Sequence, residues 1–325
     1  MHRTGRSDSA AGMERLDCAA PIPAHLRGGV VALGNFDGFH RGHQAVVGRA
    51  VARARAEGRA ALVATFDPHP TRFFRPDSPP FLLTAIDQRV RLCGEAGADA
   101  VVVIRFDRAL AQATPEAFVA EWLGHRIGAA AVVTGENFSF GQNRAGDIRL
   151  LAECGAAHGI AAEAVGAVMD GALPVSSSRA RAALRDGDMA AATRLLTRPF
   201  AIEGIVQHGD KRGRTIGYPT ANLDIGDYLR PAYGIYAVTA ETGDGRRLQG
   251  AANLGIRPSF DPPKELLEPH FFDFSGDLYG ARLTVSLVER LRPEARFDSL
   301  EALTVQMAED CAAARAILAA RPALA

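Results

Sequence analysis

The sequence predicts an α/β protein in two parts: an N-terminal doubly wound parallel sheet, then a small antiparallel β-barrel with a terminal helix. Three observations lead there. A chain of 325 residues is longer than most single cores can organise, and its 47% apolar content is ample for two. In the first half short apolar runs alternate with helical patterns, the rhythm of a parallel sheet covered on both faces. Near Arg198-Pro199 the pattern changes to short runs rich in Val, Ile, Tyr and Phe between turn residues, which favours a compact barrel.

The change of pattern divides the chain into residues 16–197 and 198–325, after a leader of residues 1–15. Within that leader Met1 to Gly12 is polar and rich in small residues; it reads as disordered, or as lying ahead of a start at Met13. Val30 to Leu33 is the first buried strand. A helix follows from Gln44, with Ala45, Val46, Ala50, Val51 and Ala54 near helical spacing. Strands at Ala61 to Phe66, Ala100 to Ile104 and Ala130 to Thr134 are separated by helices such as Thr84 to Ala96 and Pro115 to Arg126. A helical stretch from Ser178 to Leu196 closes the first part. Barrel strands are expected at Phe200 to Gln207, Gly234 to Ala240, Leu248 to Ala252, His270 to Phe274 and Leu283 to Leu287. Ser299 is placed to cap a long Ala- and Leu-rich helix reaching about Ala320, with Glu301 in its first turn; this helix should pack against the barrel.

Composition excludes several function classes. Lys plus Arg and Asp plus Glu are equal at 37 each, so no long-range field draws the protein to nucleic acid or an anionic membrane. Cys18, Cys93, Cys154 and Cys311 are scattered without a C-x-x-C spacing, which fits reduced thiols in a cytoplasmic protein better than a disulfide scaffold or zinc site. No apolar run approaches the roughly 18 residues of a membrane helix, and no signal sequence is apparent. An oligomer is neither required nor excluded.

Two phosphate-suited segments stand out. In Gly34-Asn-Phe-Asp-Gly-Phe-His-Arg-Gly-His43, glycines at 34, 38 and 42 allow a tight turn into a helix whose N-terminal N–H groups and dipole favour an anion. Gly34, Phe36, Asp37, Gly38 and Gly42 are counted with this nucleotide-binding turn. His40 and His43, three apart, can share a face there and donate to phosphate oxygens as charge builds. The plainer reading is a turn with surface histidines; zinc bound by His40, His43 and His69 ranks lower, because its spacing is unusual. Thr65-Phe-Asp-Pro-His-Pro70 leaves Asp67 and His69 near the carboxyl edge of the sheet, and Asn137 in Thr134-Gly-Glu-Asn-Phe-Ser-Phe-Gly141 follows another strand. Val175-Ser-Ser-Ser-Arg-Ala-Arg181 opens a helix with three hydroxyls and two guanidiniums, suited to a triphosphate tail or, more plainly, to an N-cap.

The second segment, His208-Gly-Asp-Lys-Arg-Gly-Arg-Thr-Ile-Gly-Tyr-Pro-Thr-Ala-Asn222, is not a Walker loop. Lys211, Arg212 and Arg214 can neutralise a triphosphate, with Gly217 and Pro219 shaping the approach. Thr220 and Asn222, two apart in an extended segment, face one way as hard oxygen ligands for Mg²⁺. The competing reading is a charged hairpin leading into a strand.

From about Val30 to Leu184 these segments resemble the adenylyltransferase half of bacterial bifunctional riboflavin kinase/FAD synthetases, a nucleotidyltransferase branch with a His-x-Gly-His signature. That resemblance implies that His40 and His43 stabilise ATP's phosphates and that Asp67 and Asn137 line the nucleotide and metal region. It implies that Ser177, Ser178 and Arg181 complete the triphosphate site, Ser178 standing where the family usually has threonine. From about Phe200 to Ala313 the chain resembles the riboflavin kinase module, through Gly250-Ala-Ala-Asn-Leu-Gly-Ile-Arg-Pro-Ser-Phe260 and Leu267-Glu-Pro-His-Phe-Phe-Asp-Phe274. There the resemblance makes Glu268 the general base, and Pro269, where the family more often has a β-branched residue, suggests a strand edge or bulge. The implied function is phosphorylation of riboflavin by MgATP to FMN, then adenylylation of FMN by ATP to FAD and pyrophosphate. Rival readings are a chain with one active half, opposed by the retained histidines and the Ser-Ser-Ser-Arg-Ala-Arg run, and a flavin carrier or RNA-binding barrel, the latter opposed by balanced charge.

Overall fold

The computed structural model describes residues 14–207, 218–257 and 264–321. The chain divides into two compact units, one formed from Met1–Ser78 and Ile86–Val168, the other from Pro79–Ala85 and Met169–Ala325.

The first unit is built on parallel strands β1 (Glu14–Asp17), β2 (Val30–Leu33), β3 (Ala61–Asp67), β4 (Ala100–Arg105), β5 (Ala131–Gly135) and β6 (Ala161–Val165), in the order β1-β4-β3-β2-β5-β6. Glu14 and Arg15, assigned to the leader from sequence, already pair with Ala100 and Val101; residues 1–13 lie outside the described residues. β1 and β6 escaped the sequence reading because both are edge strands with polar or alanine-rich sequences, Glu-Arg-Leu-Asp and Ala-Ala-Glu-Ala-Val, of weak β propensity.

Alternate residues of each central strand face opposite sides. Val31, Leu33, Leu62, Ala64, Val102, Ile104 and Val132 pack with Phe118, Val119, Leu123, Ile127 and Leu151. Val30, Ala32, Ala61, Val63, Val101, Val103 and Val133 pack with α1 (Arg41–Ala56), through Val46, Val47, Ala50 and Ala54, and with α3 (Ile86–Glu95), through Val90, Leu92 and Cys93. Burial on both faces explains why these strands read as unbroken apolar runs. A short helix α2 (Pro70–Phe74) follows β3. The helix expected from Pro115 to Arg126 is a short α-turn, Pro115–Phe118, widening into a π-helical segment, Val119–Ile127, that ends at the left-handed Gly128 (φ 65°).

In the second unit a small hairpin, β7 (Met169–Asp170) and β8 (Leu173–Pro174), precedes helices Ser177–Asp186 and Met189–Leu196. The single helical stretch read from sequence is thus broken: Gly187 turns left-handed at φ 77°, and Asp188 caps the next helix by accepting from Ala191 N at 2.8 Å. Strands β9 (Phe200–Gln207), β10 (Asn222–Asp224), β11 (Gly234–Thr242), β12 (Arg247–Arg257), β13 (Lys264–Phe271) and β14 (Arg282–Arg292) close an antiparallel barrel in the order β10-β13-β12-β11-β14-β9. The strand expected at His270 to Phe274 instead ends at Phe271, where a turn with Asp273 at φ 54° takes over. The terminal helix Leu300–Ala319 is capped by Ser299, which accepts from Ala302 N at 3.1 Å. It packs Ala314 and Leu318 against Ala237, Ala251 and Val288 of the barrel.

All four cysteines are free, and burial pushes the Cys18 thiol up to about 11 and that of Cys93 to about 12. Among the described residues no helix is long and apolar enough to cross a membrane.

Candidate functional site

In the first unit the chain steps from β2 to β3 to β4 in one direction and returns to place β5 on the other side of β2. The order therefore reverses between β2 and β5, and ligands of open α/β sheets bind beyond the carboxyl ends of strands at such a point. The Gly34–His43 turn leaves β2 there, Asp67 is the last residue of β3, and Asn137 lies exposed two residues beyond β5. Adjacent parallel strands thus bring His40, His43, Asp67 and Asn137 to one edge.

The turn itself is unusual. Phe36 (φ 51°), Gly38 (φ 84°) and Phe39 (φ 43°) all lie in the left-handed region, which costs about 1–3 kcal/mol for each bulky residue. Both phenylalanines are buried in the α1 face of the core, which offsets that cost. Gly34 lies close against Phe36: a Cβ there would come 3.2 Å from the ring, tighter than ordinary van der Waals contact. α1 starts at Arg41, earlier than its apolar spacing indicates, because His40 is its N-cap and accepts from His43 N through Nδ1 at 3.3 Å. An accepting Nδ1 leaves the ring's proton on Nε2 for any phosphate. The two imidazoles stack, centroids 3.6 Å apart and 18° from parallel, and His43 stands edge-on to Phe36 at 5.3 Å. His69 caps α2 in the same way, accepting from Thr71 N at 3.1 Å. Among the described residues no group of three His, Cys, Asp or Glu side chains is arranged to hold a metal ion.

Asp37, counted with the nucleotide residues from sequence, is turned inward and only 1% exposed. It faces Arg89 of α3, which sequence reasoning missed. Its signal was visible: Arg89 falls at the i+3 position of the Ile86, Val90, Cys93 stripe, where a core-facing helix carries apolar residues.

Ser177, Ser178 and Arg181 belong to the second unit. Ser176 is the N-cap, accepting from Arg179 N at 3.3 Å, so the cap reading holds for that serine alone. Ser177 and Ser178 occupy the first helical turn. Arg181 donates through Nε to the Phe81 carbonyl at 2.9 Å and lies over the Phe81 ring at 5.5 Å.

In the barrel, Lys211, Arg212, Arg214 and Gly217 lie outside the described residues. Pro219 and Thr220 line a cavity of about 560 Å³ with Val206, Phe271, Phe274 and Tyr279. Asn222 opens β10 opposite Gln207. Glu268 is 5% exposed in mid-strand, so it does not face solvent. It pairs with Asn253 in a regular β12–β13 register, without the edge or bulge that Pro269 suggested. The Pro269 carbonyl accepts from Ala221 N at 2.9 Å, so the proline's missing N–H falls on the β10 side, just before that strand begins. Beyond it, His270 Nδ1 donates to the Pro219 carbonyl at 2.9 Å, tying β13 to the Pro219-Thr220 segment.

Comparison with known proteins finds two family models that match successive stretches of the chain. A family model described as FAD synthetase matches residues 22–179 and one described as riboflavin kinase matches residues 196–318. The bifunctional riboflavin kinase/FMN adenylyltransferase of Escherichia coli K12 is 38% identical over 292 residues, covering 90% of this chain and 93% of that protein. The protein of the same name from Pseudomonas fluorescens is 41% identical over 298 residues, covering 91% and 95%. A crystal structure described as a macrolide-efflux protein from Streptococcus pneumoniae superposes with a TM-score of 0.81 at 30% identity, covering 92% of this chain and 97% of that one.

Proposed function

Because the chain belongs to the bifunctional riboflavin kinase/FMN adenylyltransferase family, we propose that each of its two parts uses its own ATP and that the reactions are consecutive. Residues 198–325 phosphorylate riboflavin to FMN, and residues 16–197 join AMP to FMN, releasing pyrophosphate. These functional boundaries differ from the compact units, which group Pro79–Ala85 and the residues from Met169 onward with the barrel. The observation that carries the reading is the His40–His43 turn at the reversal point of the first sheet, in a chain whose barrel independently buries Glu268. Efflux is not proposed.

In the kinase part, Glu268 takes the proton from the riboflavin 5′-hydroxyl as it attacks the γ-phosphate. Lys211 and Arg214 neutralise phosphate charge, and Gly217 and Pro219 shape the backbone around it. The hard oxygens of Thr220, on the cavity wall, and Asn222 suit Mg²⁺. When bound, the ion draws charge from the β- and γ-phosphates. In the adenylyltransferase part the FMN phosphate is itself an anionic nucleophile, so no protein base is needed. Catalysis there reduces to holding two anions in line and stabilising charge at the α-phosphorus. His40 supplies its Nε2 proton as a donor, and His43 stands beside it in the first turn of α1. Asp67 and Asn137 line the nucleotide region, and Ser177, Ser178 and Arg181 are assigned to phosphate binding by the family resemblance.

Product analysis of the purified chain with MgATP tests both steps. Riboflavin should give FMN and then FAD, and FMN supplied alone should give FAD. Absence of either product overturns the corresponding assignment, and addition of EDTA should stop both steps.

A further inference from the structure

Beneath the adenylyltransferase turn lies a charged group that the reaction as described does not use. Arg89 is 2% exposed on the side of α3 that carries Val90 and Cys93 into the core. Its Nη1 donates to Thr65 Oγ1 at 3.2 Å and to the Phe66 carbonyl at 3.4 Å. Its Nη2 is 3.9 Å from Asp37 Oδ1. Thr65 in turn donates through its hydroxyl to the Asn35 carbonyl at 3.0 Å. The Arg89 side chain therefore reaches the turn after β2 at Asp37, and at Asn35 only by way of Thr65, while it also holds β3 near its end at Thr65 and Phe66.

Enclosing a guanidinium is costly unless partners surround it, and an apolar residue would satisfy this face of α3 more cheaply. Burial draws its pKa down, and the charges of Asp37, then Cys93 and Asp67, act against that fall. What such an arrangement supplies is a defined distance between two loops. The turn needs it, since Phe36, Gly38 and Phe39 hold left-handed conformations that persist only where the surroundings over-determine them. The planar fork of arginine can engage the carboxylate and two oxygens of the neighbouring strand at once, whereas a lysine keeps the charge beside Asp37 and holds fewer of these oxygens.

We infer that Arg89 is a positioning residue for adenylyl transfer, a buried strut that holds the His40–His43 turn at a set distance from Asp67. This role rests on reading the first part of the chain as the FMN adenylyltransferase. Arg89 is too deeply buried to meet substrate, so its effect passes through His40 and His43, which act as charge builds in the transition state. Its loss therefore lowers kcat more than it raises the KM for ATP.

The test compares Arg89→Met and Arg89→Lys in the full chain, following FAD formation from FMN and MgATP, riboflavin phosphorylation by the same preparation, and thermal unfolding. Arg89→Met should lower kcat for FAD about 100-fold, the scale of a small misplacement of catalytic groups, with the ATP KM and riboflavin phosphorylation little changed. Arg89→Lys, which keeps the charge beside Asp37, should recover to within about tenfold of wild type. If Arg89→Met only lowers the unfolding temperature while the folded protein makes FAD at the wild-type kcat, or if lysine rescues nothing, the inference is overturned. Should Arg89→Met not fold, Thr65→Val decides: it removes the hydroxyl link at nearly constant shape, and a kcat equal to wild type overturns the strut. A wild-type chain that makes no FAD from added FMN overturns the adenylyltransferase reading itself, and the strut's role with it.

Discussion

Replacing His40 separates two jobs that one imidazole performs. Its Nδ1 accepts from His43 N at 3.3 Å and so caps α1, which leaves Nε2 as the only ring donor for phosphate. His40→Ala removes both functions: loss of the cap costs about 1 kcal/mol of stability, and loss of a donor to a developing oxyanion costs about 10²–10³ in rate, or about 2.7–4 kcal/mol. His40→Asn removes only the second, because asparagine is among the best N-cap residues and its Oδ1 sits close to the place of Nδ1. The expected result is that His40→Asn unfolds at nearly the wild-type temperature, His40→Ala unfolds lower, and both lose FAD formation from FMN by similar factors. Riboflavin phosphorylation, measured on the same samples, should stay at the wild-type rate in both. An asparagine variant that makes FAD as fast as wild type would refute the argument that Nε2 meets the phosphate.

Three further outcomes are expected. Gly34→Ala sets a methyl 3.2 Å from the buried Phe36 ring; overpacking of this kind costs about 1–3 kcal/mol and should appear as a lower unfolding temperature together with slower FAD formation. Glu268→Gln preserves the shape of a buried mid-strand residue but removes the base, so riboflavin phosphorylation should fall about 10²–10⁴-fold while added FMN still yields FAD. Asp99 is held below the ordinary aspartate range first by its hydrogen bond from Arg55 and also by Ala61 N, so it contributes stability that is present above that range and lost as pH falls through its lowered pKa. Because the pair is well exposed, Asp99→Asn should cost under about 1 kcal/mol in urea unfolding at neutral pH. The difference from wild type should vanish on acidification; a constant difference would remove the ionic explanation.

The sequence by itself determined which segments are strands and helices in the central sheet and most of the barrel. Buried parallel strands must be continuously apolar, as Val30–Leu33 is, and the barrel strand Phe200–Gln207 was readable from its β-rich run between turn residues. It also determined that glycines and histidines crowd the Gly34–His43 turn, since local spacing places them at the start of a helix. Only the tertiary structure decided what depends on partners distant in the chain. β1 exists because β4 offers it a ladder, and Pro269 sits in a regular strand because its missing donor falls before β10 begins. Asp37 belongs to the core because Arg89, 52 positions later, meets it there. Periodicity reports which face a residue presents; which charge, carbonyl or strand end waits on that face is set by packing between elements, and no local pattern encodes it.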